Sequence, residues 1–234
     1  MKLKKIFLAI LPPIFIAYSC QKDINGYSST AALTIVNASA GNPKIIASAS
    51  DTMVPYYRNQ AAISYKSFSE SGYSAQKTPL IIVGSADTTV TLFRGNLDLK
   101  GGGIYSFFIT GQVKAVDTLF IQDNIPSYQD SVAGIRFINL SPGSQPISIN
   151  LKGNSSTQTE FSSLSYKQPS SFKTYSATNG LTKYNFEIRD QSSGNLLISY
   201  AWPLVLRKNQ TIIICGSENP SDASPVGVFL VNNY

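Results

Sequence analysis

The 234-residue chain contains no histidine, and that absence decides most of the chemistry open to it. Ser-His-Asp and Cys-His catalysis cannot be assembled, nor can the usual His-bearing zinc sites. Ser74-Ala75-Gln76-Lys77 has the Ser-x-x-Lys spacing in which a lysine one helical turn on activates a serine. That chemistry also needs Ser-Asp-Asn and Lys-Thr-Gly partners on a helical domain. Here Lys77 is followed by Thr78-Pro79 in a β-like context, so the spacing reads as coincidence. Thirteen carboxylates are spread without an evident pairing. An enzymatic reading survives only if folding brings two of them roughly 5 to 9 Å apart in a deep cleft. Asp87, Asp123 and Asp222 sit beside turn residues, where capping turn amides is the expected role and calcium coordination the alternative. Gly101-Gly102-Gly103 lacks the Lys-Ser/Thr of a phosphate loop and reads as a turn before a strand from Ile104 to Thr110. No metal site and no cofactor is predicted.

Aromatics are what remains for a binding face. Tyr56 and Tyr57 precede Arg58 in an irregular stretch, and Trp202 closes the strand-like run Tyr200-Ala201-Trp202-Pro203. An exposed Tyr or Trp ring, apolar on its face and polar at its edge, suits stacking on a sugar. Filling a core or covering a strand end is the competing role for each.

The formal charge of +6 raises nucleic acid as a partner. Lys2, Lys4 and Lys5 supply half of it, and beyond residue 19 the balance is 16 basic against 13 acidic. The longest basic run left is Arg207-Lys208, whereas tracking a phosphate backbone needs a clustered stripe. Nucleic acid is therefore not an expected partner. Charged residues make up 14% of the chain, well below the usual quarter. Ser, Thr, Asn and Gln take their place, as on extracellular β-proteins.

Met1-Lys2-Leu3-Lys4-Lys5 is a basic start, and the apolar run Ile6 to Ala17 follows it, broken by Pro12-Pro13. A spanning helix needs roughly twenty apolar residues, so the run reads as a secretory signal peptide over residues 1–19. Ala17-Tyr18-Ser19-Cys20 resembles the lipobox of bacterial lipoproteins, with Ala17 where an aliphatic residue is usual. The resemblance implies cleavage before Cys20, a diacylglyceryl group on its thiol and acylation of the new amine. Several acyl chains together anchor stably, whereas one binds marginally. A structural pairing of Cys20 with Cys215 is the alternative, although Cys215 follows Ile212-Ile213-Ile214 and suits a buried position. Gln21-Lys22-Asp23 is similar to the short signal that sends Bacteroidota lipoproteins to the outer face of the outer membrane, without the acidic run expected after it. Surface display is favoured over the periplasmic face. Residues 20–30 read as a flexible tether.

The rest of the chain is punctuated by Gly, Pro, Asn and Ser into short strands, with no sustained 3.6-residue period. Ile147, Ile149 and Leu151 alternate with Ser148, Asn150 and Lys152, as do Tyr184, Phe186 and Ile188 with their polar neighbours. Leu80-Ile81-Ile82-Val83 and Leu196-Leu197-Ile198 are continuous apolar runs suited to strands inside a core. The pattern occurs twice. Leu33 to Ser39 and Lys44 to Ser48 correspond to Ile135 to Ser141 and to the strand from Ile147. Ile63-Ser64-Tyr65-Lys66 corresponds to Leu164-Ser165-Tyr166-Lys167, and Tyr73-Ser74-Ala75 to Tyr175-Ser176-Ala177. Asn37 and Asn139 take equivalent places, where their side chains are expected to close turns. The predicted architecture is all-β, two tandem immunoglobulin-like antiparallel sandwiches over residues 31–125 and 132–234, divided in the polar stretch Pro126 to Ser131.

Ile135-Arg136-Phe137-Ile138-Asn139-Leu140-Ser141-Pro142 with Ile147-Ser148-Ile149 resembles the opening of the bacterial domain of unknown function 4397. The first copy keeps Asn37 and Ser39 and has Ala40 in place of the proline. The resemblance implies an envelope β-domain and no particular reaction. Together these features point to a lipid-anchored outer-membrane protein that acts without catalysis in adhesion, assembly or ligand presentation. Its expected partners are the membrane, through the lipid, and an envelope protein or a glycan. The alternative is a surface glycan-binding protein of a nutrient-uptake system.

Overall fold

The computed structural model describes residues 29–49, 61–112, 115–155, 157–178, 180–219 and 221–233. The predicted signal peptide, Cys20, Tyr56 and Tyr57 lie outside them. Sixteen strands follow one another, and no helix occurs among the described residues. The first eight are β1 (Thr30–Asn37), β2 (Lys44–Ser48), β3 (Ile63–Ser64), β4 (Ser67–Ser74), β5 (Lys77–Gly84), β6 (Thr91–Asp98), β7 (Ile104–Gln112) and β8 (Ala115–Gln122). The second eight are β9 (Val132–Leu140), β10 (Ile147–Leu151), β11 (Thr159–Leu164), β12 (Lys173–Ser176), β13 (Lys183–Asp190), β14 (Leu196–Pro203), β15 (Asn209–Cys215) and β16 (Gly227–Asn233).

Each set of eight folds into two four-stranded sheets, and the strand order of the first set is repeated in the second. The first sandwich has β4-β1-β7-β8 facing β3-β2-β5-β6, and the second has β12-β9-β15-β16 facing β11-β10-β13-β14. The all-β, doubled sandwich architecture thus follows the sequence pattern, although these orders differ from the ABED and CFG sheets of an antibody domain. Pairing is antiparallel except between β1 and β7 and between β9 and β15, which run parallel. The Asn-x-Ser segments sit where the chain leaves β1 for β2 and β9 for β10, strands of opposite sheets. They bridge the two layers instead of closing a hairpin.

Those bridges share one construction. Asn37 accepts the Ser39 N–H at 3.1 Å and donates to the carbonyls of Asn42 and Ile63 at 2.9 and 3.2 Å. Asn139 accepts the Ser141 N–H at 3.0 Å and donates to the Leu164 carbonyl at 3.1 Å. Both asparagines are fully buried, so these bonds replace the water that the amides lose. Ser39 and Ser141 then donate to the carbonyls of Gly111 and Gly216. Lys66 and Lys167 hold the same left-handed backbone, at φ 60° and 64°, and donate to the Asn37 and Asn139 carbonyls.

Inward side chains form one core per sandwich. Leu33, Ile35, Leu80, Ile82, Phe107 and Ile109 fill the first, and Ile135, Phe137, Ile149, Phe186, Ile188 and Trp202 the second. The run Leu80 to Val83 is buried on both faces, because Ile81 and Val83 pack with Ile46 on the outer side of their sheet. Leu196-Leu197-Ile198 behaves differently from the core strand expected of it. Among the described strands β14 is an edge, paired with β13 alone, and Leu196 is half exposed.

The outer faces of β1, β7, β9 and β15 are also dry. Val36, Phe108, Ile138, Leu140, Ile213, Cys215, Phe229 and Val231 form a third core. The β4-β1-β7-β8 sheet therefore packs against the β12-β9-β15-β16 sheet, giving four layers. An apolar seam of this kind holds two units as one body, where a bare linker would leave them free to swing. Within it Thr110 donates to the Leu140 carbonyl at 2.8 Å, and Arg136 meets Asp123 at 2.5 Å.

Candidate functional site: the seam cleft and the open edge of the first sandwich

Of several concavities, two are lined by strands whose pattern departs from apolar-in, polar-out. The first is a cleft of about 420 Å³ at the rim of the seam. Phe68 and Glu70, on the outer face of β4, form one wall. The other consists of Val205 with Lys208, Asn209 and Gln210 at the start of β15, and Asn232 and Asn233 at the end of β16.

Its amides are fixed by a buried network. Trp202 donates its indole N–H to Gln210 Oε1 at 2.6 Å, and Gln210 Nε2 donates to Asn232 Oδ1 at 2.7 Å. Thr211 donates to Asn233 Oδ1 at 2.5 Å, while Asn209 Nδ2 reaches the Pro126 carbonyl at 2.6 Å. Asn209, Gln210 and Asn233 are buried, and the exposed amide that Gln210 holds in place is Asn232. Burial raises the Glu70 carboxyl above the ordinary glutamate range. It is the one carboxylate among the described lining residues.

The second concavity, about 370 Å³, opens between the sheets of the first sandwich at its β3/β4 edge. Ile35, Ala47 and Ile63 form its floor, and Ser69, Ser71 and Tyr73 line one wall. These three alternate along β4 with Phe68 and Glu70, so they face inward. Ser69 and Ser71 are nevertheless exposed. Burial pushes the Tyr73 hydroxyl above the usual tyrosine range, partly offset by its bond with Ser71.

The residues nominated from sequence are distributed differently. Trp202 is fully buried, packed edge-on to Tyr175 and tilted against Phe186. It has no free face for a sugar, which corrects the expectation of a stacking platform there. Period-2 alternation along β14 turns it inward, opposite Tyr184 on β13. It reaches the seam cleft only through Gln210. Asp123 is neither a turn cap nor a calcium ligand: its carboxylate accepts Ser106 Oγ at 2.6 Å and pairs with Arg136 inside the seam. Asp87 does cap its turn, accepting the Thr89 N–H and hydroxyl at 3.0 and 2.6 Å, and those bonds hold its carboxyl below the ordinary range. Asp222 accepts from Asn219 Nδ2 at 3.0 Å. Ser74 ends β4 and Lys77 begins β5, with a turn between them where the serine-lysine chemistry needs a helix. Cys215 is a buried free thiol 3.4 Å from the Tyr65 hydroxyl.

Among the described residues no three His, Cys, Asp or Glu side chains gather to hold a metal ion, and no helix is long and apolar enough to cross a membrane. The cleft residues escaped sequence reading because they converge only when the two sandwiches stack. The one local sign was polar Asn209-Gln210-Thr211 opening a strand otherwise wholly apolar.

Fold and site together define a doubled β-sandwich with two concavities. The chain belongs to the DUF4397 family, a domain of unknown function, whose model matches residues 31–150. That match covers the first sandwich and runs through β9 and most of β10. Comparison with curated protein sequences gave no match. Among solved structures, the chain is similar to CBMbc, a family CBM26 module of Eubacterium rectale Amy13K in complex with maltoheptaose. Identity is 9%, coverage 87% of this chain and 97% of that one, and the TM-score 0.28. A cell-adhesion-like protein of Bacteroides eggerthii aligns at 10% identity over 88% and 96% of the two chains, with a TM-score of 0.23.

Proposed function

We propose that the chain is an exported lipoprotein, tethered through lipid on Cys20 to the outer membrane, that works by contact with another envelope protein and makes or breaks no bonds. The seam cleft carries the contact half of this reading. Its walls carry one exposed amide, Asn232, held in place by the buried Gln210, together with one lysine and one carboxylate. Such groups recognise a partner and lack a nucleophile-base arrangement. The leader ending in Ala17-Tyr18-Ser19-Cys20 supports the anchor. The second sandwich, with its repeated strand order and its Asn139-Leu140-Ser141 bridge, is read as a second copy of the family domain.

The test is in intact cells. A photoreactive residue in place of the exposed Asn232 is expected to give a discrete crosslinked species. The same residue at Asn96, on the far outer layer, should give none. Equal crosslinking at both positions, or at neither, counts against a specific contact at the cleft.

A further inference from the structure

Both sandwiches enter a central strand, β7 or β15, through the same turn. In the first, the Gly102 N–H donates to the Thr30 carbonyl at 2.9 Å and the Ala32 N–H to that of Gly103 at 3.0 Å. In the second, the Arg207 N–H donates to the Val132 carbonyl at 2.8 Å and the Gly134 N–H to that of Lys208 at 2.9 Å. Val205-Leu206-Arg207-Lys208 therefore stands where the first sandwich has Lys100-Gly101-Gly102-Gly103. Gly102 has φ 73° and Arg207 φ 60°. Glycine enters that left-handed region freely, whereas a residue with a Cβ is strained there. The second turn keeps an arginine in spite of the strain, and sets two aliphatic side chains in water where the first has a lysine and a glycine.

Val205 and Leu206 are 43% and 48% exposed, and Leu181 is 41% exposed. The Leu204 N–H bonds the Thr182 carbonyl at 3.1 Å, which continues the β13–β14 register past Lys183 and Pro203 and brings Leu181 beside Val205. Three of the six large apolar side chains exposed among the described residues thus gather at one tip, where isolated ones would need no explanation. Lys183, Arg207 and Lys208 flank it, all exposed, and none of them is in an ion pair among the described residues. Asp130, whose carbonyl holds the Val132 N–H, and Glu70, in the cleft with Lys208, are carboxylates close by, and the cations outnumber them.

The tip lies at the end of the molecule where β1 begins. Equivalent ends of the sandwiches stack together: Thr110 reaches Leu140 at one end, and Asp123, whose N–H is held by Ile104 at the start of β7, reaches Arg136 near the other. Cys20 precedes Ser29 by nine residues, a span of at most about 30 Å. A lipid on Cys20 would hold this end toward the bilayer. A second copy of the chain is a poor cover for the tip, because a two-fold contact would set its cations against one another.

We propose that this turn is a lipid-docking tip: Leu181, Val205 and Leu206 enter the interfacial layer of an anionic bilayer while Lys183, Arg207 and Lys208 meet its headgroups. The inference rests on the envelope reading above and adds to it a second membrane contact, made by the folded body.

The test uses the purified chain from residue 20 carrying C20S, which has every described strand and no lipid, in cosedimentation with vesicles. The wild-type tip should bind vesicles of phosphatidylcholine with phosphatidylglycerol, and at least about tenfold more weakly those of phosphatidylcholine alone. Added salt should weaken the binding. L181S/L206G leaves in place Val205, which also borders the seam cleft, and should bind at least about tenfold more weakly without a lower melting temperature. R207G relieves the left-handed strain while removing one cation, so it should melt no lower and bind roughly fivefold more weakly. Absence of binding to the anionic vesicles, equal binding to neutral ones, or binding unchanged in both variants overturns the tip. So does association of the chain with itself through these residues in place of binding to vesicles. None of these results touches the anchor, which is judged by the mass of the mature chain, or the cleft, which is judged by crosslinking at Asn232.

Discussion

Arg136 donates from Nη2 to Asp123 Oδ1 at 2.5 Å across the seam, with 6% and 0% of the two side chains exposed. Arg136 also donates from Nε to Thr211 Oγ1 at 2.8 Å and lies over the Phe172 ring. Removing one charge strands the other in a dry interface. R136M alone is expected to cost about 3–5 kcal/mol, while R136M with D123L recovers most of that loss because a buried pair repays little more than its own desolvation. Urea unfolding of the double-mutant cycle checks this. Additive losses would show that the two side chains do not act as a pair.

Gly111 and Gly216 take equivalent positions at the ends of β7 and β15, with φ of 86° and 94°. A Cβ at Gly111 would lie 2.2 Å from the Ala115 carbonyl oxygen, and one at Gly216 2.4 Å from that of Pro225. Each closes a bridge by accepting a serine hydroxyl, so both strain and clash follow substitution. Gly143 has φ 76°, but a Cβ there would meet open space, with no atom within 4 Å. G143A should therefore cost about 1–2 kcal/mol from backbone strain alone, and G111A or G216A clearly more. Thermal melts of the three variants give the ranking, and equal losses would contradict it.

Acid should loosen the second sandwich at its edge. Burial pushes the Glu160 carboxyl up, but hydrogen bonds from Lys173 and Tyr175 and the Lys173 charge outweigh it and leave the pKa lowered. A carboxylate depressed in the fold adds stability above its unfolded pKa, and that stability is lost as pH falls through the folded value. The melting temperature should fall between about pH 5 and pH 3. E160Q should be less stable at neutral pH by about 1 kcal/mol or less and show a shallower acid slope. An unchanged slope would mean that Glu160 does not set the acid response.

Cys215 should be chemically silent in the folded protein. Burial raises its thiol pKa, and its sulfur lies in the seam against Tyr65. In a C20S chain, a thiol reagent such as Ellman's is expected to react only after guanidinium opens the seam. Rapid reaction under native conditions would mean that the sandwiches separate readily.

The doubling is legible in the sequence because strand alternation and the two Asn-x-Ser segments are local properties, and Asn37 and Asn139 perform the turn-closing role their type suggests. The stacking of the sandwiches is signalled more faintly. Phe107-Phe108-Ile109 and Ile212 to Cys215 are continuous apolar runs, which mean burial on both faces without naming what covers the second one. Asp123 is opaque in the sequence because a carboxylate beside a turn looks the same whether it caps an amide or meets an arginine thirteen residues on. Trp202 is opaque because its direction depends on the register of β14. The inward serines of β4 become visible only once Tyr73 fixes which face of that strand meets the core.

Export from the cytoplasm and retention by lipid at Cys20 underlie the proposed envelope role. Intact-mass and N-terminal analysis of the protein extracted from membranes, beside C20S, tests this most directly. A mature chain starting at Cys20 and carrying diacylglyceryl and acyl groups is predicted, with C20S lost from the membrane fraction. A chain that keeps Met1 to Ser19, carries no lipid and fractionates like C20S would contradict it.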